Sequence, residues 1–121
     1  MIIHYRYAYV SDFRARKGWA VTLEDSIYVD PGHTEKGIGS RLLGELLKLC
    51  RVSPARPWGI VAVISNEVAT TSGIKSVKLH TQHGFVHAGI IPFSGTKFGR
   101  TFESIFMHKS FPENVTPVSR E

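Results

Sequence analysis

Apolar positions along this chain change period several times, and each change marks an element. Ile3 to Val10 interleaves β-branched and aromatic residues with polar ones and reads as a strand. Ser11 to Gly18 carries Asp12, Arg14, Arg16 and Lys17 and reads as a connecting loop. Strand composition returns from Trp19 to Asp30, and Pro31-Gly32 stops it. Leu42, Leu43, Leu46, Leu47 and Leu49 then fall at helical spacing and predict a helix over 41–51 with one apolar face. The prolines between Ser53 and Trp58 end that helix. Ile60 to Ile64 is an uninterrupted apolar run, the pattern of a strand buried on both faces. Asn66 to Gly73 is polar and loop-like, and Lys75 to His83 predicts a short helix capped by Gly84. Phe85 to Ile91 reads as a strand, Pro92 to Gly99 as a loop and Thr101 to Lys109 as the last strand. From Pro112 onward the chain reads as a polar tail that frays.

The resulting order is strand, strand, helix, strand, helix, strand, strand. That is an α/β pattern with antiparallel first strands and a βαβ unit in the middle. A length of 121 residues suits one domain. Hydrophobic residues at 42% and charged residues at 21% support a packed core and leave disorder only for the tail. The net charge of +5 has two readings, a solvated positive surface or a phosphate-bearing cofactor. Nucleic acid is not expected as a partner, because the basic residues are dispersed and form no long run. Cys50 is the single cysteine, so no internal disulfide framework exists and a reducing, cytoplasmic setting is expected. Its place at the end of an apolar helical pattern makes it a small hydrophobe. The first residues are too short and polar for a signal peptide, and no apolar run has membrane-spanning length, so no membrane partner is expected.

The chemistry-bearing stretch runs from Ser26 to Leu43. A strand ends, a Gly-rich turn follows, and a helix begins. First-turn amides of a helix lack internal partners and carry the positive end of its dipole. Glycine lets a ligand approach that backbone closely, so the segment can seat a phosphate. It is not a P-loop, because Ile38 follows Gly37 where a lysine is needed. It is not a dinucleotide fingerprint either, because the run from Gly37 and Gly39 ends in Leu42 and not glycine. A tight strand-to-helix turn without a ligand is the other reading.

Lys36, Gly37, Ile38, Gly39 and Ser40 resemble the core of the GNAT acetyltransferase signature, which opens a helix that holds the coenzyme A pyrophosphate. Thr34 stands where that family usually has Gln or Arg. Thr22 to Val29, Lys78 to Phe85, Thr96 to Arg100 and Ser104 to Met107 resemble the subgroup that acetylates phosphinothricin, methionine sulfoximine and methionine sulfone. Thr101 and Glu103 replace the subgroup's usual tryptophan and aspartate. The family's domain also has a strand, two helices and a strand before the position of Tyr7. The resemblance therefore implies a GNAT-like mixed, mostly antiparallel sheet with a central βαβ unit, N-terminally truncated. It implies a partial acetyltransferase domain over 1–111 and a polar tail over 112–121.

The resemblance also implies roles. Acetyl-CoA is the cosubstrate, a small amine is the acceptor, no metal takes part, and a homodimer is compatible with the family. Glu24 falls at the catalytic glutamate and could take the ammonium proton, directly or through water; an exposed strand glutamate or a salt bridge is the alternative. His80 falls where the subgroup carries a histidine near the coenzyme A sulfur, and could protonate the thiolate or bond the cofactor; a structural helix histidine is the alternative. The amides of Ile27, Tyr28 and Val29 would bond the pantetheine arm, unless they only pair in a sheet. Glu35, Lys36, Gly37, Ile38, Gly39 and Ser40 would cradle the pyrophosphate. Asn66 would touch the cofactor, or is a plain loop asparagine. Lys97 and Arg100 read first as solvated charges and second as attractors of an acceptor carboxylate. His4, His33, His83, His87 and His108 have no metal-ligand spacing. A module that binds coenzyme A or a partner without catalysis is the competing function.

Overall fold

In a computed structural model of the chain, the structure describes residues 6–14, 21–29 and 37–116. Five strands form one sheet in the order β1-β2-β3-β5-β4. They are β1 (Arg6–Asp12), β2 (Thr22–Val29), β3 (Gly59–Glu67), β4 (Val86–Lys97) and β5 (Arg100–Ser110). Helix α1 (Ile38–Val52) crosses from β2 to β3, and α2 (Ile74–Gln82) lies between β3 and β4. β2 and β3 run parallel, as a βαβ unit requires, and every other neighbouring pair is antiparallel. The expected mixed, mostly antiparallel sheet is therefore present.

The core lies between the helices and one face of the sheet. Leu43, Leu47 and Cys50 on α1 recur at four- and three-residue steps and meet Ile60, Ala62 and Ile64 of β3 and Ile105 and Met107 of β5. Burying each large side chain contributes about 1.5–3 kcal/mol. Leu49, expected on the apolar face of the helix, is exposed, and Cys50 takes the inward position. Burial pushes the Cys50 thiol up, and the charge of Asp25 adds to it. It stays a protonated, packed thiol.

Several sequence expectations are corrected. Ile60 to Ile64 is not buried on both faces: Val63 is exposed, and only alternate residues point inward, because the core cluster occupies one side of β3. Asn66 and Glu67 continue β3 and are not loop, while Ser11 and Asp12 belong to β1. Pro92 to Lys97, expected as loop, lies in β4. Proline is tolerated there because β4 is the outer strand and the register shifts between Ile91 and Gly95. Phe98 and Gly99 then close the hairpin with positive φ angles of 51° and 72°. Nor does the chain fray directly after Phe111. Pro112–Asn114 forms a 3-10 turn, and the buried Asn114 side chain donates to the Pro57 carbonyl at 3.0 Å. Arg51 meets Glu113 at 2.9 Å.

Candidate active site

The sheet has a slot at its middle. β1 pairs with β2 along the whole strand, from Arg6 opposite Val29 to Asp12 opposite Leu23. The ladder between β2 and β3 has only three rungs, ending where Glu24 stands opposite Val61. Beyond them β3 continues to Glu67 paired with β5, while β2 continues paired with β1. Among the described residues, the backbone of Asp25 to Val29 thus has no ladder partner on its β3 side. Backbone groups turned away from a ladder need another partner. The amides of Ile27, Tyr28 and Val29 lie on this diverging stretch.

A cleft of about 330 Å³ opens at the divergence, walled by Glu24, Asp25, Val63, Ser65, Gly73 and His80 among others. Successive strand residues point to opposite faces. Leu23 packs against the core and Asp25 is buried, so Glu24 belongs to the opposite face. In a continuous sheet the two faces would be separated. Here the slot lets Glu24 and the α2 residue His80 border one space.

His80 is 2% exposed, and both of its ring nitrogens are engaged. Nδ1–H donates to the Ser76 carbonyl at 2.8 Å, and Nε2 meets Asp25 Oδ2 at 2.9 Å. The Phe85 ring packs edge-on at 4.8 Å between centroids. Burial acts to lower the pKa of His80, but the hydrogen bond and charge of Asp25 and the Ser76 carbonyl outweigh it, so the net direction is up. Asp25 was not singled out from the sequence. The signal was available: in a strand whose Leu23 faces the core, residue 25 faces the core too, and a carboxylate there needs a partner.

At the start of α1, Gly37 takes a φ of 66°, a left-handed conformation that glycine adopts without cost. It provides no side-chain cap, and the first turn contains no acidic residue. Among the described residues, nothing lies within 4 Å of where a Cβ on Gly37 would be. The amides of Ile38, Gly39 and Ser40 begin a 15-residue helix, whose first turn fits a phosphate. The Ser40 hydroxyl shares a hydrogen bond of 2.9 Å with His83 Nε2. Glu35 and Lys36 lie outside the described residues.

Asn66 is buried and its amide is used within the protein. Its Oδ1 accepts from the Gly73 N–H at 2.8 Å, and its Nδ2 donates to Glu103 Oε1 at 2.8 Å. Asn66 thereby fixes the entry into α2, whose Gly73 borders the cleft. Lys97 and Arg100 sit at the β4–β5 hairpin, where Arg100 reaches Glu67 at 3.6 Å.

Known proteins share this fold. The chain is 36% identical over 103 residues to the phosphinothricin N-acetyltransferase of Alcaligenes faecalis, covering 85% of this chain and 49% of that protein. It is 35% identical over 114 residues to the L-methionine sulfoximine/L-methionine sulfone acetyltransferase of Salmonella typhimurium, covering 92% of this chain and 61% of the relative. The chain thus spans about half to three fifths of the length of these curated relatives. The structure of yncA from Salmonella typhimurium with its cofactor acetyl-CoA superposes with a TM-score of 0.80 at 33% identity, covering 96% of this chain and 63% of the other. The profile of the Acetyltransferase (GNAT) family matches residues 8–85. With the split sheet, the glycine-led helix and that match together, the chain belongs to the GNAT acetyltransferase family.

Proposed function

We propose that this protein transfers an acetyl group from acetyl-CoA to the amine of a small, amino-acid-like acceptor of the phosphinothricin or methionine sulfone type. One observation carries the reading: the β2–β3 ladder ends at Glu24, so a carboxylate and an imidazole from opposite sides of the sheet border one cleft. The similarity to N-acetyltransferases that act on those acceptors supports the substrate class. Acetyl-CoA supplies the acyl group as a thioester. The amides at the start of α1, with Glu35 and Lys36 before them, hold its diphosphate. The free backbone of Ile27 to Val29 bonds its amide-bearing arm, and Asn66 contributes by fixing the α2 entry.

The acceptor must attack as a neutral amine. Glu24 takes the ammonium proton and passes it to water. The amine nitrogen then bonds to the carbonyl carbon and gives up its second proton to Glu24, the C–S bond breaks, and sulfur leaves with the electron pair and takes a proton from water. His80 meets the negative charge that develops on oxygen and sulfur. Holding both reactants in one slot supplies much of the acceleration. The lone, protonated Cys50 thiol supports a cytoplasmic setting.

The test is thiol release from acetyl-CoA in the presence of methionine sulfone, phosphinothricin and a panel of amino acids. Amine-dependent release is the expected result. Cofactor binding by calorimetry with no turnover on any amine would overturn this reading in favour of a non-catalytic module.

A further inference from the structure

The nearest group to each ring nitrogen of His80 is a hydrogen-bond acceptor, with the Ser76 hydroxyl farther off at 3.4 Å from Nδ1. A backbone carbonyl only accepts, so the 2.8 Å contact to Ser76 requires a proton on Nδ1. The 2.9 Å contact to Asp25 requires a second proton between Nε2 and Oδ2. The hydrogen bond and charge of Asp25, with the Ser76 carbonyl, outweigh burial and raise the ring's hold on its proton, which places that proton on Nε2. The side chains are 3% and 4% exposed, so water does not compete for either contact. Asp25 is also the first residue of β2 past the last β3 rung. Its carboxylate therefore ties the diverging strand to α2 at the point where the cleft begins.

We propose that Asp25 is a positioning residue for acetyl transfer, fixing His80 at the cleft wall as a doubly protonated imidazolium so that the ring is held in one orientation and is not a free base. This deepens, and rests on, the transferase reading above. No proton has to leave His80: both protons lost by the ammonium nitrogen go by way of Glu24 to water, and the departing thiolate takes a proton from solvent. Among the described residues, the ionisable groups lining the same cleft as the ring are Glu24 and Asp25 of β2, and the Cys50 thiol of α1 feels the charge of Asp25. The β3 residues in the same cleft, Val63, Ile64 and Ser65, do not titrate there.

The test has two arms. In the first, histidine ring nitrogens of the wild-type protein are observed by NMR from about pH 5 to about pH 10. His80 should carry protons on both nitrogens at neutral pH, and Asp25→Asn should lower its proton affinity tenfold or more, with Asp25→Glu restoring part of it. A single ring proton at neutral pH in the wild type overturns the proposal, even if the variants fail to fold. In the second arm, the alkaline limb of the kcat profile should move to lower pH in Asp25→Asn while the KM for acetyl-CoA holds. An unmoved limb also overturns the proposal. If the wild type turns over no amine, the transferase reading fails, and the first arm still decides the charge state.

Discussion

Glu24 stands opposite Val61 in the last rung between β2 and β3, and the next residue, Asp25, has left the ladder for a partner on α2. Parallel strands gain from continuing to pair, since each lost rung leaves backbone groups to be satisfied elsewhere. A sheet that stops pairing in its middle while both strands run on is therefore keeping space for a ligand. Glu24 sits at the edge of that space.

That position makes Glu24→Gln an informative substitution. The amide keeps the shape and removes the base. The expected loss in kcat is about 10²–10⁴-fold, the range for removing general acid–base catalysis. Acetyl-CoA should still protect the variant against heat as well as it protects the wild type. Loss of protection together with rate would instead assign Glu24 a part in cofactor binding.

The phosphate seat predicts a different pattern at Gly37. Valine there must adopt a φ of 66°, which costs about 1–2 kcal/mol for a residue with a Cβ. Its side chain would also project from the turn that opens the helix, where no other described residue stands. At one hundred times its Kd, acetyl-CoA should stabilise the wild type by about 2.7 kcal/mol. Gly37→Val should have a lower Tm without ligand and a much smaller rise with it. An unchanged ligand-induced rise in thermal scans would remove the first turn of α1 from the binding site.

Asn66 tests how far the helix entry depends on one side chain. In Asn66→Ala the buried Gly73 N–H loses its acceptor and Glu103 loses a donor. An unsatisfied buried group costs about 1–3 kcal/mol, which urea unfolding would measure. Because Gly73 borders the cleft, the KM for acetyl-CoA should rise with the loss of stability. A variant as stable as the wild type would show that water replaces the amide.

Much of this was legible in the residues. The leucine spacing of α1, the glycines before it and the βαβ order follow from local pattern, because helix periodicity and positive-φ turns are written in short windows. β4 was not fully legible: Pro92 ordinarily ends a strand, and only the outer position and the register shift, both long-range facts, permit it. The partnership of Asp25 with His80 spans 55 residues, so no window holds both. What could be read was the need, a carboxylate on the inward side of β2. The slot itself was not legible, because the point where two strands part depends on three-dimensional pairing and not on either strand's composition.

The buried pair also fixes how stability responds to pH. Burial pulls the His80 pKa down, but Asp25 and the Ser76 carbonyl pull harder, leaving it above the value of a histidine in the unfolded chain, about 6.5. The folded protein thus binds this proton more tightly than the unfolded chain does. The resulting stabilisation is complete below about pH 6.5 and is lost as pH climbs through the folded value. Removing one partner of a buried pair typically costs about 3–5 kcal/mol, so Asp25→Asn should be that much less stable than wild type near pH 6. The gap should narrow as the solution becomes alkaline, when the wild-type imidazole gives up its proton and leaves Asp25 charged and unpaired. Urea unfolding of both proteins from about pH 5 to about pH 9 measures it. A gap that widens with rising pH would mean that the proton resides elsewhere, and that the pair is held neutral.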